Sequence, residues 1–391
     1  MEITKDIRYI GVDDHDIDLF EGQYDVSENG MAYNSYVILG EKIAVADSVD
    51  GGFVDEWLGN LEAVLDGRTP DYLVVHHMEP DHSAGIAAFM ERYPQAQIVA
   101  SIGAFRMMVN YFGTDYPERK MVVKEGDVLD LGGHSLTFIG APNVHWPEVI
   151  FSYESTDKVL FSADGFGKFG ANDIEDPEGW ACEARRYYFG IVGKFGKFVQ
   201  AVLKKAADLD IQIICPLHGP VWRKDLGWFI EKYDTWSRYA PETQGVLIVY
   251  ASMYGNTENA AQALAASLCD KGMSKVAMYD VSSTHVSQLI SEAFKYSHIV
   301  LASVTYNLGI YPAMHDFLMD MKALNLQNRT FAIIENGSWA VKSGDLMQKF
   351  VNDELKNMTV LNERLSLASS MGTDKRTELE ALADAILESM K

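Results

Sequence analysis

Four side chains that can bind a metal ion lie close together at the end of a predicted strand. They are His77, Glu79, Asp81 and His82, and they follow the apolar run Tyr72–Val75 almost directly. Three further candidates each follow another apolar run, where a loop leaves a strand: His145, Asp164 and His218. The set supplies four imidazoles and three carboxylates, which is enough for two metal ions. The sequence therefore predicts a dinuclear metal site.

Length and charge exclude several classes of protein. The chain has 391 residues, of which 48% are hydrophobic, so we expect two domains. A formal net charge of −23 argues against nucleic acid and anionic membrane as partners, because binding phosphate groups needs a basic surface. The sequence shows neither a signal peptide nor a long apolar segment, which predicts a cytoplasmic protein. Three widely spaced cysteines argue against a thiolate zinc site.

The first part of the chain mixes short predicted strands with a few helices. Its apolar runs predict strands at 35–49, 71–77, 97–101, 120–131, 134–141, 149–163 and 211–217. Helical patterns occur near 52–65, 84–93, 102–112, 180–208 and 225–236. Strands dominate and helices are interspersed, which predicts a sandwich of sheets covered by helices.

A different pattern follows the polar segment Tyr239–Gly245, which we interpret as a linker. Strands and helices then alternate to the end of the chain, which predicts a doubly wound parallel sheet. The predicted strands are 246–251, 276–280, 298–304, 330–334 and 359–365. The predicted helices are 256–270, 284–295, 312–323, 344–356 and 374–390.

Three loops of this second part carry groups that suit a phosphate and a flat ring. The first loop opens a helix, whose free N–H groups favour a phosphate, and it consists of Ser252, Met253, Tyr254, Gly255, Asn256 and Thr257. It is neither a P-loop nor a Gly-x-Gly-x-x-Gly motif, so a phosphate monoester fits best. The other two loops each carry an aromatic residue for stacking, and they consist of Thr305, Tyr306, Asn307, Leu308 and Gly309, and of Asn336, Gly337, Ser338 and Trp339.

These motifs resemble two known families. The three loops resemble the FMN site of flavodoxins, although Tyr254 stands where short-chain flavodoxins usually have threonine. The seven metal-binding candidates resemble the metallo-β-lactamase pattern, with Glu79 where hydrolases of that fold usually have histidine. A carboxylate at this position makes the site harder and more anionic, which suits iron. A metallo-β-lactamase-like first half followed by a flavodoxin-like second half resembles the flavodiiron proteins, and this resemblance covers the entire chain.

The resemblance implies a fold, cofactors and a reaction. The expected fold is a metallo-β-lactamase-like αββα sandwich over residues 1–240 and a flavodoxin-like doubly wound parallel sheet over 246–391. The implied cofactors are FMN and two non-haem iron ions, and the implied reaction is reduction of O2 to water, of NO to N2O, or both. Electrons are expected from a separate donor, a rubredoxin or a reduced deazaflavin, since no Cys-x-x-Cys module follows the second half.

The resemblance also implies roles for single residues and an assembly. One iron is expected at His77, Glu79 and His145, and the other at Asp81, His82 and His218, with Asp164 as the bridge. Tyr187 or Tyr188 is the expected donor of a hydrogen bond or proton to bound oxygen. A head-to-tail homodimer, or a dimer of such dimers, is expected to place the FMN of one chain beside the iron of its partner.

Two other functions stay open from the sequence. The chain could be a zinc-dependent hydrolase of the metallo-β-lactamase fold with a flavodoxin domain, but Glu79 argues against this. It could also be a non-catalytic flavin electron carrier or redox sensor, but the intact set of seven candidate ligands argues against that. Zinc at both positions would favour the first alternative, and unchanged gas consumption in a His145→Ala variant would favour the second.

Overall fold

The computed structural model describes residues 1–174 and 180–391. The chain divides into two compact units, Met1–Asp234 and Thr235–Lys391. Among the helices in these ranges, none is both long enough and apolar enough to cross a membrane.

Two mixed sheets form the first unit. In spatial order, the first sheet contains β1 (Ile7–Tyr9), β6 (Tyr36–Leu39), β7 (Ile43–Ala46), β8 (Tyr72–Val75), β9 (Gln97–Ala100) and β10 (Lys120–Val122). The second contains β11 (Val128–Asp130), β12 (Ser135–Gly140), β13 (Ile150–Glu154), β14 (Val159–Phe161) and β15 (Ile213–Cys215). Two small ribbons pair β2 (Val12–Asp14) with β5 (Met31–Tyr33), and β3 (Leu19–Phe20) with β4 (Tyr24–Asp25). Strands β7 to β10 run parallel, as do β14 and β15.

The core of the first unit lies between its two sheets. Tyr36 and Ile38 of β6 meet Phe138 of β12 and Phe161 of β14 there. Residues on the opposite faces, such as Val37, are equally buried, which explains why these strands are continuous apolar runs. The helices of the unit are α1 (Val54–Leu65), α2 (Pro80–Ser83), α3 (Ile86–Arg92), α4 (Ile102–Phe112), α5 (Trp180–Tyr187), α6 (Gly196–Ala206) and α7 (Leu226–Ser237), whose last residues cross the division between the units.

The predicted sandwich of sheets is confirmed, but three predicted strands are wrong in extent. The run 120–131 is two strands, β10 and β11, which belong to different sheets. They are separated by a turn in which Gly126 has a φ of 85°, a conformation that glycine adopts without strain. The runs 35–49 and 149–163 each contain two antiparallel strands joined by a turn. The short strands before residue 34 have no counterpart among the predicted ones.

The predicted helix 180–208 is also wrong as a single element. Helix α5 ends at Tyr187, a π-helical turn covers Tyr188–Val192, and a short 3-10 turn precedes α6. A Cβ at Gly190 would lie 2.7 Å from the Tyr24 ring, and the Tyr24 hydroxyl donates to the Gly190 carbonyl at 2.8 Å. The irregular turn therefore lets the β3–β4 ribbon approach the backbone closely.

The second unit is a five-stranded parallel sheet between helices. Its spatial order is β17 (Val276–Asp280), β16 (Thr243–Ala251), β18 (Tyr296–Tyr306), β20 (Thr330–Asn336) and β21 (Thr359–Leu367), with β19 (Gly309–Ile310) antiparallel to the end of β18. Its helices are α8 (Asn256–Asp270), α9 (Val286–Lys295), α10 (Pro312–Ala323), α11 (Ser343–Glu354) and α12 (Arg376–Glu388).

This unit confirms the predicted doubly wound sheet, with each predicted element ending within three residues of the observed one. The predicted linker is too long, because its last residues, 243–245, belong to β16. The chain order 2-1-3-4-5 puts the switch point between β16 and β18. Ligands bind outside the carboxyl ends of the strands at such a point.

A buried arginine ties together several backbone segments of the second unit. The Arg329 guanidinium donates to the carbonyls of Tyr239 (2.8 Å), Gln327 (2.8 Å) and Ala293 (3.1 Å), and also to that of Phe294. Only 2% of Arg329 is exposed, so replacing it with methionine leaves these buried carbonyls without donors. We expect Arg329→Met to lower the free energy of unfolding of this unit by about 3 kcal/mol.

Denaturant unfolding of the full chain, monitored by circular dichroism, measures this change. Arg376→Met is the matched control, because Arg376 is an exposed residue at the start of α12. Equal midpoints for the two variants would contradict the role given to Arg329.

Candidate functional site

The strand ends of the first unit bring the seven candidate ligands together. His77 follows β8, Asp164 follows β14, and His218 follows β15. Glu79 occupies the N-cap position of the short helix α2, whose first residue is Pro80. The seven side chains form two adjoining groups, in which the possible ligand atoms of each group lie within 4.8 Å of one another: His77, Glu79, His145 and Asp164, and then Asp81, His82 and His218.

The first group is a compact set of nitrogen and oxygen atoms. Glu79 Oε2 lies 3.1 Å from His77 Nε2 and 2.9 Å from His145 Nε2. Asp164 Oδ2 lies 3.4 Å and 3.0 Å from the same two nitrogens. Ligand atoms bound at right angles to one metal ion, each at about 2.1 Å, are about 3 Å apart. The spacing therefore fits ligands arranged around a single ion.

The second group has the same spacing. Asp81 Oδ2 lies 3.3 Å from His82 Nε2 and 3.3 Å from His218 Nε2. The two imidazole nitrogens are 3.0 Å apart. Asp164 reaches this group with its other oxygen, because Asp164 Oδ1 lies 3.3 Å from His82 Nε2 and 3.9 Å from that of His218. One oxygen of Asp164 thus faces each group, which is the arrangement of a bridging carboxylate.

Buried carboxylate oxygens without hydrogen-bond partners indicate whether the two groups of candidate ligands fit metal ions. Both carboxylate oxygens of Asp81 and Oδ1 of Asp164 are buried and have no hydrogen-bond partner in the described part of the chain. Buried carboxylate oxygens without partners are costly unless a cation satisfies them. A set of three carboxylates and four imidazoles is also a donor set that iron accepts. The residues present therefore fit a pair of iron ions.

Outer hydrogen bonds hold two of the imidazoles in orientation. His77 Nδ1 donates to Glu148 Oε1 at 2.8 Å, and the same oxygen accepts the Met78 N–H at 3.0 Å. His218 Nδ1 donates to the Ala32 carbonyl at 2.8 Å. Such bonds fix the tautomer of a metal-ligating histidine. His77 and His218 therefore present Nε2 to the centre of the site.

His76 turns away from the two groups. Its Nδ1 lies 2.6 Å from Asp47 Oδ2, and its Nε2 lies 2.7 Å from Ser152 Oγ. The other oxygen of Asp47 accepts the His76 N–H at 2.7 Å. These buried bonds hold the end of β8, and with it the chain that carries His77.

The electrostatics of the metal-free site show how strongly these groups interact. Burial alone would lower the pKa of His145, but hydrogen bonds to Asp164 and Glu79 raise it to about 9. Burial would likewise lower the pKa of His77, but the Asp164 charge raises it well above its usual value. Conversely, the imidazoles hold the pKa of Asp164 well below its usual range, although burial opposes this. Protons on the imidazoles therefore balance the carboxylates when no metal is bound.

Of the two tyrosines predicted near the site, Tyr187 is placed against the ligands. Its ring lies 5.6 Å from that of His218, and its buried hydroxyl has no hydrogen-bond partner within the ranges described. Burial and the Asp164 charge raise its pKa well above 10, so the hydroxyl keeps its proton at neutral pH. The Tyr188 ring packs against Phe189 and Tyr233 instead.

Three residues beside the metal groups have no place among the sequence-predicted ones. The Phe20 ring lies 5.2 Å from that of His218, and the next residue, Glu21, comes under the negative charge of Glu79. Desolvation and the neighbouring Glu79 raise the pKa of Glu21 to about 8. Nothing in the sequence around Glu21 distinguishes it from an ordinary surface acid. Glu148 was detectable, because it lies three residues after His145.

In the second unit, a cavity of about 290 Å³ opens at the carboxyl edge of the sheet. All the predicted flavin residues except Gly255 and Gly309 line it. Val304, Ala340 and Ser369 line it too, and none of them is among the predicted residues. Ser369 was detectable, because it lies in the loop after β21 and such loops meet at this edge.

The lining residues divide into scaffold and exposed groups. Thr305 Oγ1 donates to the Asn336 carbonyl at 2.8 Å and accepts the N–H groups of Lys342 and Ser343. The Asn336 side chain similarly ties its own loop to Ser369. These two side chains therefore hold the loops in place. By contrast, Tyr254 and Trp339 are 90% and 79% exposed, which leaves both rings accessible for stacking.

The start of α8 offers an anion site within this cavity. Gly255 has a φ of 85° at the N-cap of the helix, where an unstrained backbone requires glycine. The Gly255 N–H donates to Ser252 Oγ at 3.1 Å. The free N–H groups of the following turn and the helix dipole favour a phosphate there.

Both parts of the chain match known protein families. Residues 31–219 match the family described as ODP family beta lactamase, and residues 248–372 match flavodoxin. The chain is 31% identical to a nitric oxide reductase of Moorella thermoacetica over 362 residues, which cover 90% of this chain and 89% of that one. The chain belongs to the flavodiiron protein family. The sequence-based prediction of this family is therefore confirmed.

Two further similarities support membership of the flavodiiron proteins. The anaerobic nitric oxide reductase flavorubredoxin of Vibrio vulnificus is 30% identical over 87% of this chain and 70% of its own length. The solved structure of rubredoxin oxygen:oxidoreductase from Desulfovibrio gigas superimposes with a TM-score of 0.92 at 26% identity, covering all of this chain and 98% of that one.

Proposed function

We propose that this flavodiiron protein passes electrons from an external donor through FMN to a diiron site and reduces O2 to water, NO to N2O, or both. The observation that carries the proposal is Asp164, whose two oxygens face two separate groups of ligands. The similar proteins named above are a nitric oxide reductase and an oxygen oxidoreductase. The activity is accordingly that of an oxidoreductase.

We assign the cofactors to the two parts of the chain. Residues 1–240 form the diiron domain, with His77, Glu79 and His145 holding one iron, Asp81, His82 and His218 the other, and Asp164 between them. Residues 246–391 form the FMN domain. When bound, FMN accepts two electrons and releases them singly, and each iron changes by one electron.

The chain's own residues supply orientation and protons. Glu148 holds His77 so that Nε2 faces the site, and the Ala32 carbonyl does the same for His218. The Tyr187 hydroxyl is a neutral donor beside these ligands, and both reactions consume protons. Phe20 and Phe169 pack on His218 and Tyr187, which excludes water from this side of the site.

The flavin cavity supports the expected assembly. Tyr254 and Trp339 at its rim expose most of their surface, and Leu308 exposes 54%. Large exposed apolar side chains around a cofactor site are typical of a surface where another protein docks. We therefore include in the proposal a head-to-tail homodimer, alone or paired with a second dimer, and a rubredoxin or reduced deazaflavin as donor. We also place the protein in the cytoplasm.

Anaerobic reduction of the iron-loaded protein with a non-specific donor, followed by separate O2 and NO consumption assays, tests the function. We expect two irons and one FMN per chain, and consumption of at least one of the two gases. His145→Ala should abolish consumption, whereas His315→Ala, at a half-exposed histidine of the second unit, should not change it. Zinc in both positions together with hydrolase activity would overturn the proposal.

A further inference from the structure

Glu148 places a buried carboxylate behind one of the candidate ligands. Its Oε1 accepts hydrogen bonds from His77 Nδ1 at 2.8 Å and from the Met78 N–H at 3.0 Å. The side chains of His77 and Glu148 are 0% and 1% exposed. Glu148 Oε2 is also buried, and it has no hydrogen-bond partner among the residues that the structure describes. Because bulk water does not screen this carboxylate, its charge acts strongly on the imidazole that it contacts.

The start of helix α4 favours a negative charge at this position. Ser101 is the N-cap residue of α4, and its Oγ accepts the Ala104 N–H at 3.1 Å. The same hydroxyl donates to the Glu148 carbonyl at 2.8 Å. A Cβ at Gly103 would lie only 2.8 Å from the Glu148 Cβ, so a glycine in the first turn allows this close approach. The positive end of the helix dipole therefore lies beside Glu148 and stabilises its ionised form.

The two groups have similar sets of candidate ligands but differ in what lies behind their histidines. Each has two imidazoles and one carboxylate of its own, and Asp164 faces both. In the second group, His218 Nδ1 donates to the neutral Ala32 carbonyl at 2.8 Å, and His82 Nδ1 has no partner in the described part of the chain. A carboxylate acceptor makes His77 a more basic ligand than a carbonyl would. A nearby negative charge also attracts a ferric ion more strongly than a ferrous one, because the attraction scales with charge.

We propose that Glu148 is a positioning residue that makes the two irons of the proposed diiron site unequal. Through His77, its charge lowers the reduction potential of the ion held by His77, Glu79 and His145 below that of the other ion. The inference rests on the proposed function. When a one-electron acceptor removes one electron from the reduced pair, the ion in the His77 group is therefore the one that becomes ferric.

Two substitutions separate the charge of Glu148 from its hydrogen bonds. Glu148→Gln keeps an oxygen that accepts the His77 N–H but removes the charge, whereas Glu148→Asp keeps the charge on a shorter side chain. Each protein is loaded with excess ferrous iron in the absence of oxygen and is then oxidised stepwise with one-electron mediators of known potential. Mössbauer spectra at each step report the oxidation state of each of the two ions.

The expected change is confined to one of the two ions. In Glu148→Gln, the ratio of ferric to ferrous iron in the His77 group at a given potential should fall about tenfold, which raises the lower of the two reduction potentials by about 59 mV. The higher potential should stay as in the wild type, and Glu148→Asp should shift the lower potential less. Glu125→Gln, at an exposed glutamate that pairs with Lys205, should leave both potentials unchanged.

The outcomes distinguish this inference from the proposed function. Wild-type potentials in Glu148→Gln would overturn it, because the hydrogen bond alone would then account for Glu148. Equal shifts of both potentials, or a larger shift in Glu148→Asp than in Glu148→Gln, would overturn it as well. So would failure of Glu148→Gln to bind two irons, because Glu148 would then hold the metal rather than adjust its potential. A wild-type protein that takes up no iron would refute the proposed function itself. Circular dichroism of each variant confirms that the fold is kept.

Discussion

The variant Asp164→Asn is expected to lose the diiron centre and its gas consumption while keeping its flavin. An asparagine side chain has one uncharged oxygen, so it cannot offer a carboxylate oxygen to each of the two groups that Asp164 faces. Removing even outer partners of metal ligands costs ten- to a hundredfold in affinity or activity. We therefore expect a loss of more than ~100-fold in turnover and fewer than two irons per chain.

Iron and flavin assays on the purified variant, followed by O2 and NO consumption, measure this result. Asp210→Asn is the matched control, because Asp210 is an exposed aspartate of the same unit that pairs with Lys158. FMN should stay bound in both variants, since its cavity lies wholly in the second unit. Two tightly held irons in Asp164→Asn would show that the bridging role is wrong.

The elements of the second unit were predictable because four of its five parallel strands, β16, β17, β18 and β20, contain apolar runs and alternate with helices. In the first unit, the run 120–131 looked like one strand, since its turn at 124–127 interrupts the apolar pattern only briefly. The partner strands decide that β10 and β11 enter different sheets, and sequence-local patterns contain no information on such partners. The break after Tyr187 also depends on a distant contact, the approach of Tyr24 to Gly190.

The candidate metal site likewise contains residues that local sequence patterns predict and residues that only contacts distant in sequence bring there. The seven candidate ligands were predictable, because imidazoles and carboxylates placed after apolar runs have few structural explanations. Residues that act through these ligands were harder to find. Glu21 comes under the charge of Glu79, 58 positions away in the sequence, because the β3–β4 ribbon packs Phe20 against His218. The distinction between Tyr187 and Tyr188 depended on the direction of each ring around the end of α5.

The metal-free protein is expected to lose stability as the pH rises from 6.5 to 9. His145 has a pKa of about 9 in the folded state and about 6.5 when unfolded. A histidine whose pKa is raised by folding stabilises the protein fully below its unfolded pKa, and this contribution is lost as the pH rises through the folded value. The shift corresponds to about 3 kcal/mol from His145 alone. Denaturant unfolding of the chelated protein at pH 6 and pH 9.5, followed by near-ultraviolet circular dichroism, measures it.

Bound metal should remove this loss, because imidazole ligands must be deprotonated and metal ions then balance the carboxylates. Protons on His145 and His77 compete with the metal, so iron affinity should rise with pH, and the contribution of His145 to this rise should end above about pH 9. His145→Gln, which cannot be protonated, should reduce the pH dependence of the stability of the metal-free protein by the share of His145, and His315→Gln should leave the pH dependence unchanged. A metal-free protein equally stable at both pH values would show that carboxylate–imidazolium pairs do not hold the site together. Paired protons and paired metal ions are, on this view, alternative ways of neutralising the same three carboxylates.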